Sequence, residues 1–161
     1  MHDFDVLLAK WRAMKSSSRP QAEPRSAYAA FMHIGTRWAD NDMYGHVNNV
    51  VYYSWFDTAV NALLIERGAL DLQAGGIIGL VVETHCNYFS PLAFPQDVVA
   101  GVRVAHSGTS SVRYEIGLFP SDEQEQLCAA KGHLVHVYVD RLTRRPTPLS
   151  TELRRVLTAL V

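Results

Sequence analysis

Between Asp40 and Asn49 the chain gathers Asp40, Asn41, Asp42, Gly45, His46, Asn48 and Asn49. Two carboxylates, an imidazole and three carboxamides in so short a stretch are the material of acid–base or nucleophilic chemistry. The residues that follow, from about Val50 to Arg67, contain no Gly or Pro and close on Gly68, a usual residue just past a helix C-terminus. Asn48 and Asn49 suit the N-cap, where a short side-chain oxygen accepts from a free N–H of the first turn. A carboxylate-bearing turn therefore runs directly into the N-terminus of a long helix.

The helix predicted there is informative in itself. At about 100° per residue, Ser54, Asp57, Thr58 and Asn61 fall in one polar stripe. Val50, Val51, Tyr52, Tyr53, Trp55, Phe56, Ala59, Val60, Ala62, Leu63, Leu64 and Ile65 cover most of the rest, so the helix is expected to be buried and wrapped by other elements. It is too short and too interrupted by polar groups to span a bilayer.

The elements around it read mostly as strands. Ala30 to Trp38 leads into the polar turn, and Gly75 to Ser90 carries the run Ile77-Ile78-Gly79-Leu80-Val81-Val82. Val98, Ala100, Val102 and Val104 alternate against Arg103, and Val112, Tyr114, Ile116 and Leu118 against Arg113 and Glu115. Ser107-Gly108-Thr109 marks the hairpin between them. Leu127 to Arg141 makes a last strand, with Lys131, His133 and Val135 opposite Gly132, Leu134 and His136. Ser150 can cap a C-terminal helix bearing Leu153, Val156, Leu157 and Leu160. Strand, buried helix, then about four strands in tight succession predicts an α+β domain, an antiparallel sheet of about five strands curled round one long central helix.

The composition suits one soluble domain: 161 residues, 48% hydrophobic, and a formal net charge of −1 from 15 Lys+Arg and 16 Asp+Glu. No strongly basic balance points to nucleic acid, and no membrane partner is expected. Cys86 and Cys128 form no CxxC motif, and two free thiols fit a cytoplasmic setting. Residues 1–25 read as an N-terminal extension, a short amphipathic helix over 3–15 with Phe4, Leu7, Leu8 and Trp11 on one face, then a linker from Ser16 to Pro24. The domain proper is expected over 26–161.

The run Arg37-Trp38-Ala39-Asp40-Asn41-Asp42-Met43-Tyr44-Gly45-His46-Val47-Asn48-Asn49-Val50-Val51-Tyr52 closely resembles the signature of hotdog-fold acyl-CoA thioesterases of the 4-hydroxybenzoyl-CoA thioesterase-like family. The likeness continues through Cys86-Asn87-Tyr88-Phe89-Ser90-Pro91-Leu92, Gly108 with Ser110 and Ser111, and Val139-Asp140-Arg141, covering roughly Ala30 to Leu157. It implies a hotdog fold and hydrolysis of an acyl-CoA to a carboxylic acid and coenzyme A, without metal or other cofactor. It implies Asp42 as the catalytic carboxylate, acting as general base or nucleophile, and the N–H near Asn49 as donor to the developing oxyanion. Gly45 would then lack a side chain because turn and thioester crowd it. A homodimer or tetramer, a dimer of dimers, is implied as well.

Other residues keep two readings. Asp40 caps the turn or pairs with Arg37. His46 orients a water or the substrate, or braces the turn. Asp57 is a second carboxylate for substrate or a polar contact between helices. Asn48 and Ser110 are substrate-contact candidates. Arg113, with Arg103 and Lys131, meets coenzyme A phosphates or lines a solvated strand face. His133 and His136, three apart on a strand, point to opposite faces and make no metal pair. The alternative function is a non-catalytic acyl-CoA or acyl-carrier-protein binding module, which has no need of Asp42. A hotdog hydratase would carry its His and Asp on a different motif, which is not found.

Overall fold

The computed structural model describes residues 20–122 and 127–161, so the helix expected over 3–15 lies outside the described residues. The chain forms β1 (Ala30–Ile34), α1 (Asn49–Glu66), β2 (Ile77–Tyr88), β3 (Val98–Ser107), β4 (Ser111–Pro120), β5 (Ala130–Asp140) and α2 (Thr151–Thr158). Short 3₁₀ turns occupy Arg25–Ala27 and Trp38–Asp40.

All five strands join one sheet in the order β1-β3-β4-β5-β2, every pairing antiparallel. The Gly108 N–H closes the β3–β4 hairpin on the Ser111 carbonyl at 2.8 Å. The tight succession expected for the later strands fails at one point: β2 and β3 are not neighbours. Residues 89–97, with Pro91 and Pro95, are too long and too poor in donors for a hairpin. They carry the chain away from β2, which pairs with β5 alone and forms one edge of the sheet.

The sheet curls round α1 in the hotdog arrangement. Tyr52, Trp55, Phe56, Ala59, Val60, Leu63 and Leu64 are buried on the helix. They share one core with Ala100, Val102, Val112, Tyr114, Ile116, Leu118, Leu134 and Tyr138 from the sheet. Full burial of side chains this size stabilises by about 1.5–3 kcal/mol each. Gly68, at φ +70°, ends the helix where an L side chain would be strained.

The helix is not wrapped all round. Val50 and Ile65, expected inside, are 67% and 42% exposed, and Ser54, Asp57 and Thr58 are exposed beside them. The reason is the edge: β2 is the last strand, so among the described residues the flank of α1 next to it has no further cover, and Leu80, Val81 and Val82 are exposed there.

The opposite face of the sheet carries a smaller cluster of Tyr28, Val99, Phe119 and Cys128. Residues 20–29 cross this face. Pro24 bridges to Leu127, and the Cys128 N–H donates to the Glu23 carbonyl at 2.9 Å. The end of the expected linker is thus bound to the sheet. Among the described residues no helix is long and apolar enough to cross a membrane.

Candidate active site

The turn before α1 is held almost entirely by its own polar groups. Asp40 is fully buried, and its carboxylate accepts from the Arg37 N–H at 2.7 Å and from Arg37 Nε and Nη2 at 3.0 and 2.7 Å. Its carbonyl accepts from the Asn48 N–H at 2.8 Å. One residue thus ties the start of the turn to the helix cap. Asn41 Oδ1 accepts from the Phe94 N–H at 3.0 Å, and the Val47 N–H donates to the Leu92 carbonyl at 2.8 Å, which fastens the turn to the loop after β2.

Asp42 sits inside this frame. Its N–H donates to the His46 carbonyl at 2.9 Å, and its carbonyl accepts from the Gly45 N–H at 3.1 Å. Its Oδ1 accepts from the Tyr44 N–H at 2.8 Å, while Oδ2 has no partner among the described residues. Gly45 takes φ +82°, yet a Cβ added there would meet nothing within 4 Å. The crowding expected from the turn is therefore absent; the left-handed backbone is what demands glycine.

At the helix start, Asn48 Oδ1 accepts from the Val50 N–H at 3.0 Å and the Asn48 carbonyl from the Val51 N–H at 2.9 Å. The Asn49 N–H is left with no partner among the described residues. What Asn49 offers is this backbone donor at the positive end of an 18-residue helix. His46 is exposed, and its ring has no hydrogen-bond partner among the described residues.

The structure adds a residue the sequence reading did not single out. The Tyr88 hydroxyl donates to the Asn49 carbonyl at 3.3 Å, and its ring meets Tyr52 edge-on at 5.0 Å. Burial, with Cys86 and Tyr53 adding to it, pushes the phenol well above its ordinary range, so it stays a donor. Burial also pushes the Cys86 thiol up to about 11, which removes it as a nucleophile at neutral pH. The only signal for Tyr88 in the sequence was its place in the second stretch that carried the family resemblance.

The Thioesterase-like superfamily matches this chain over residues 36–157, the span that holds the turn, α1 and the sheet. The chain belongs to that superfamily. This thioesterase-like chain is 54% identical to the PA5185 protein of Pseudomonas aeruginosa strain PAO1 over 87% of its own length and 96% of that chain, with a TM-score of 0.83. The PA2801 protein of Pseudomonas aeruginosa is 28% identical over 85% and 99% of the two chains, at a TM-score of 0.72. Slr0204, a 1,4-dihydroxy-2-naphthoyl-CoA thioesterase from Synechocystis, shares the fold at 16% identity, covering 80% and 94%, with a TM-score of 0.70. Comparison with curated proteins gives no match.

In one thioesterase-like chain the remaining candidates separate. Asp57 is exposed on the same helix, its Oδ1 accepting from Asn61 Nδ2 at 2.9 Å. Ser110 lies on the β3–β4 hairpin, where its carbonyl accepts from the Tyr138 N–H. That hairpin is a strand length, about 30 Å, from the end of β3 that abuts the turn.

Arg113 is on the outer face of the sheet. Its Nη2 donates to His133 Nδ1 at 3.0 Å, and His133 Nε2 in turn donates to Glu83 Oε1 at 2.6 Å. Arg103 pairs with Glu23 at 2.8 Å and with Glu115, and Lys131 pairs with Glu23 at 2.6 Å. Burial raises the Glu23 carboxyl, but the hydrogen bonds from Lys131 and Arg103 outweigh it and leave the group below its ordinary range. A cleft of about 660 Å³ opens on this face. The cations named as candidates for coenzyme A phosphates each have a carboxylate partner within the chain. Among the described residues no three His, Cys, Asp or Glu side chains are grouped as a metal ion would need.

Proposed function

We propose that this chain is a hydrolase of CoA thioesters of the 4-hydroxybenzoyl-CoA thioesterase-like kind, acting through Asp42 without a metal, in the cytoplasm. The observation that carries the reading is the pair of unused groups at the helix start. Among the described residues, one oxygen of the Asp42 carboxylate and the Asn49 N–H have no partner. The thioester carbonyl oxygen accepts from the Asn49 N–H, so the charge of the tetrahedral intermediate develops at the positive helix end. Asp42 takes a proton from the attacking water, the C–S bond breaks, and Asp42 returns that proton to the leaving thiolate, giving coenzyme A as its thiol and a free carboxylic acid. His46, exposed and unpartnered, orients the water or the substrate. Gly45 and Asn48 fix the backbone against which the thioester lies. That Slr0204 is named for a CoA thioester fits this reading.

The proposal includes a second copy of the chain. Among the described residues no strand pairs with the outer edge of β2, which lies beside the exposed Leu80, Val81 and Val82. Such an edge is covered in stable proteins. A partner pairing there would extend the sheet and bring the open flank of α1, with Ser54, Asp57 and Thr58, against its counterpart. Dimers, or dimers of dimers, then hold Asp57, and any contact from Ser110 or Arg113, between chains.

The test is hydrolysis of a panel of acyl-CoAs, read as free thiol, by the wild-type protein and by Asp42→Asn. The expected outcome is a fall in kcat of at least ~100-fold in a folded variant. Undiminished activity of folded Asp42→Asn would overturn the assignment. Activity is expected to survive prolonged EDTA, and loss restored by zinc would overturn the metal-free mechanism.

A further inference from the structure

The end of β2 grips the region round Asp42 and Asn49 in two places. Its last residue is Tyr88, and the loop that follows supplies the Leu92 carbonyl and the Phe94 N–H that fasten the Asp42 turn. Tyr88 itself reaches the helix start, where its hydroxyl donates to the Asn49 carbonyl at 3.3 Å. Among the described residues this is the one side-chain hydrogen bond to Asn49, the residue whose N–H has no partner there.

Neither group needs that bond to escape a burial penalty. The α-helical ladder already gives the Asn49 carbonyl the N–H of residue 53, so Tyr88 takes the second lone pair. Tyr88 is 45% exposed, so water can serve its phenol. What the bond does is tie the sheet to the donor residue. Tyr88 is itself held firmly: its backbone pairs with Ala130 on β5, and its ring meets the buried Tyr52 edge-on at 5.0 Å.

The peptide that carries the Asn49 N–H is planar and includes the Asn48 carbonyl. The turn holds it on that side, since the Asn48 N–H donates to the Asp40 carbonyl at 2.8 Å and the Asn48 carbonyl accepts from the Val51 N–H at 2.9 Å. The freedom left is rotation at Asn49 itself, in a first turn of the kind that frays. A hydroxyl on the Asn49 carbonyl restrains that rotation from the sheet. We infer that Tyr88 is a positioning residue, whose hydroxyl holds the Asn49 N–H on the line where the thioester oxygen gathers charge. The inference rests on the proposed thioester hydrolysis and adds to it a residue outside the Asp42 turn. Donors to a developing oxyanion act by being fixed before the charge appears, and a misplacement of about 1 Å can cost up to ~100-fold in rate.

The experiment removes the hydroxyl and keeps the ring. Tyr88→Phe retains the contact with Tyr52, so the melting temperature should change little. Its kcat on acyl-CoAs is expected to fall ~10-fold, less than the ~100-fold or more for losing a donor outright, with KM within ~2-fold of wild type. A second readout reports on the donor directly. In a dethia ketone analogue, a methylene replaces the thioester sulfur and the carbonyl is kept, and its infrared stretch falls in frequency when a hydrogen bond polarises it. The wild-type protein should lower that stretch on binding, and Tyr88→Phe should bind the analogue with a smaller shift, which a role in packing alone would not produce. An unchanged kcat in folded Tyr88→Phe, or an unchanged shift, overturns the inference and leaves hydrolysis standing. A raised KM at unchanged kcat overturns it too, since Tyr88 would then serve ground-state binding. A Tyr88-dependent shift without turnover of any thioester would sustain the positioning and sink the hydrolase. Neither shift nor turnover in the wild-type protein overturns both.

Discussion

Two polar regions of this chain look alike in composition and behave as opposites. The outer face of the sheet brings together Glu23, Glu83, Glu115, Arg103, Arg113, Lys131 and His133, and nearly every charge there meets an opposite one. The turn before α1 holds fewer charges, yet among the described residues it keeps a carboxylate oxygen and a backbone N–H without partners. The difference lies in what supplies the hydrogen bonds. On the sheet, side chains two apart along a strand share a face and reach neighbouring strands, so they satisfy one another. In the turn, Asp40, Asn41 and Asn48 spend their side chains mainly on backbone N–H groups, and functional groups are left over. A dense charge cluster is therefore weaker evidence of chemistry than one idle group in a rigid frame.

The contrast can be broken first within the turn itself. Asp42→Asn should cut kcat by at least ~100-fold with the melting temperature unchanged, because only Oδ1 has a structural bond and Asn can still accept there. Asp40→Asn should do the reverse. Its buried carboxylate is bonded by Arg37 and closes the turn, so losing that charge should destabilise by about 1–3 kcal/mol. Thermal melts and kcat on both variants check the split. A worse kcat for Asp40→Asn at equal stability would show that the chemical carboxylate has been misassigned. Gly45→Ala should cost about 1–2 kcal/mol through its positive φ alone, since space for the methyl is open. A smaller loss would mean that the turn relaxes.

These expectations show how far the sequence could be read. The helix from Asn49, its Asn48 cap, its stop at Gly68 and the alternation of β3, β4 and β5 follow from local periodicity and capping chemistry. The motif turn was legible as a resemblance, and the hotdog fold with it. The pairing of β2 with β5 was not, because strand order is set by long-range packing that a local pattern does not carry. For the same reason Arg103 and Lys131 looked free. Their partner Glu23 is 80 and 108 residues away in the chain. His136 read only as facing the opposite side of the strand from His133; that its ring is buried with no partner among the described residues is a fact of packing.

His136 also predicts a difference in pH dependence. Its folded-state pKa lies below the ordinary 6.5 because of burial. Below that value the unfolded chain binds a proton that the folded chain refuses, so stability is full above pH 6.5 and falls as the pH drops past it. The facing groups do not mask this. Burial pushes Tyr138 up to about 12 and Tyr114 higher still, and Asp57 only moderates the shift. Urea melts between pH 5 and 8 should therefore show a steeper acid loss for the wild-type protein than for His136→Phe. Parallel curves would mean that the imidazole is solvated in solution.

The smallest effect should come from the outer face. Glu83 and Arg113 approach to 3.5 Å, but their side chains are 58% and 39% exposed, so water and salt screen the pair. Arg113 also donates to His133, and removing either partner leaves the others with solvent to turn to. A double-mutant cycle on Glu83→Ala and Arg113→Ala should give a coupling of about 0.2–1 kcal/mol that shrinks in 1 M salt. In the chain alone, Arg113→Ala should change kcat little, since its guanidinium is across the sheet from the turn. A dimer with composite sites makes a sharper demand. Mixing Arg113→Ala with Asp42→Asn by co-refolding would then restore one intact site per mixed dimer, provided Arg113→Ala is itself impaired. If Arg113→Ala alone is fully active, the outer face is structural and Arg113 has no place in the site. If it is impaired at unchanged stability, and mixing recovers activity, the self-satisfied cluster opens toward a neighbour's substrate and the contrast between the two regions narrows.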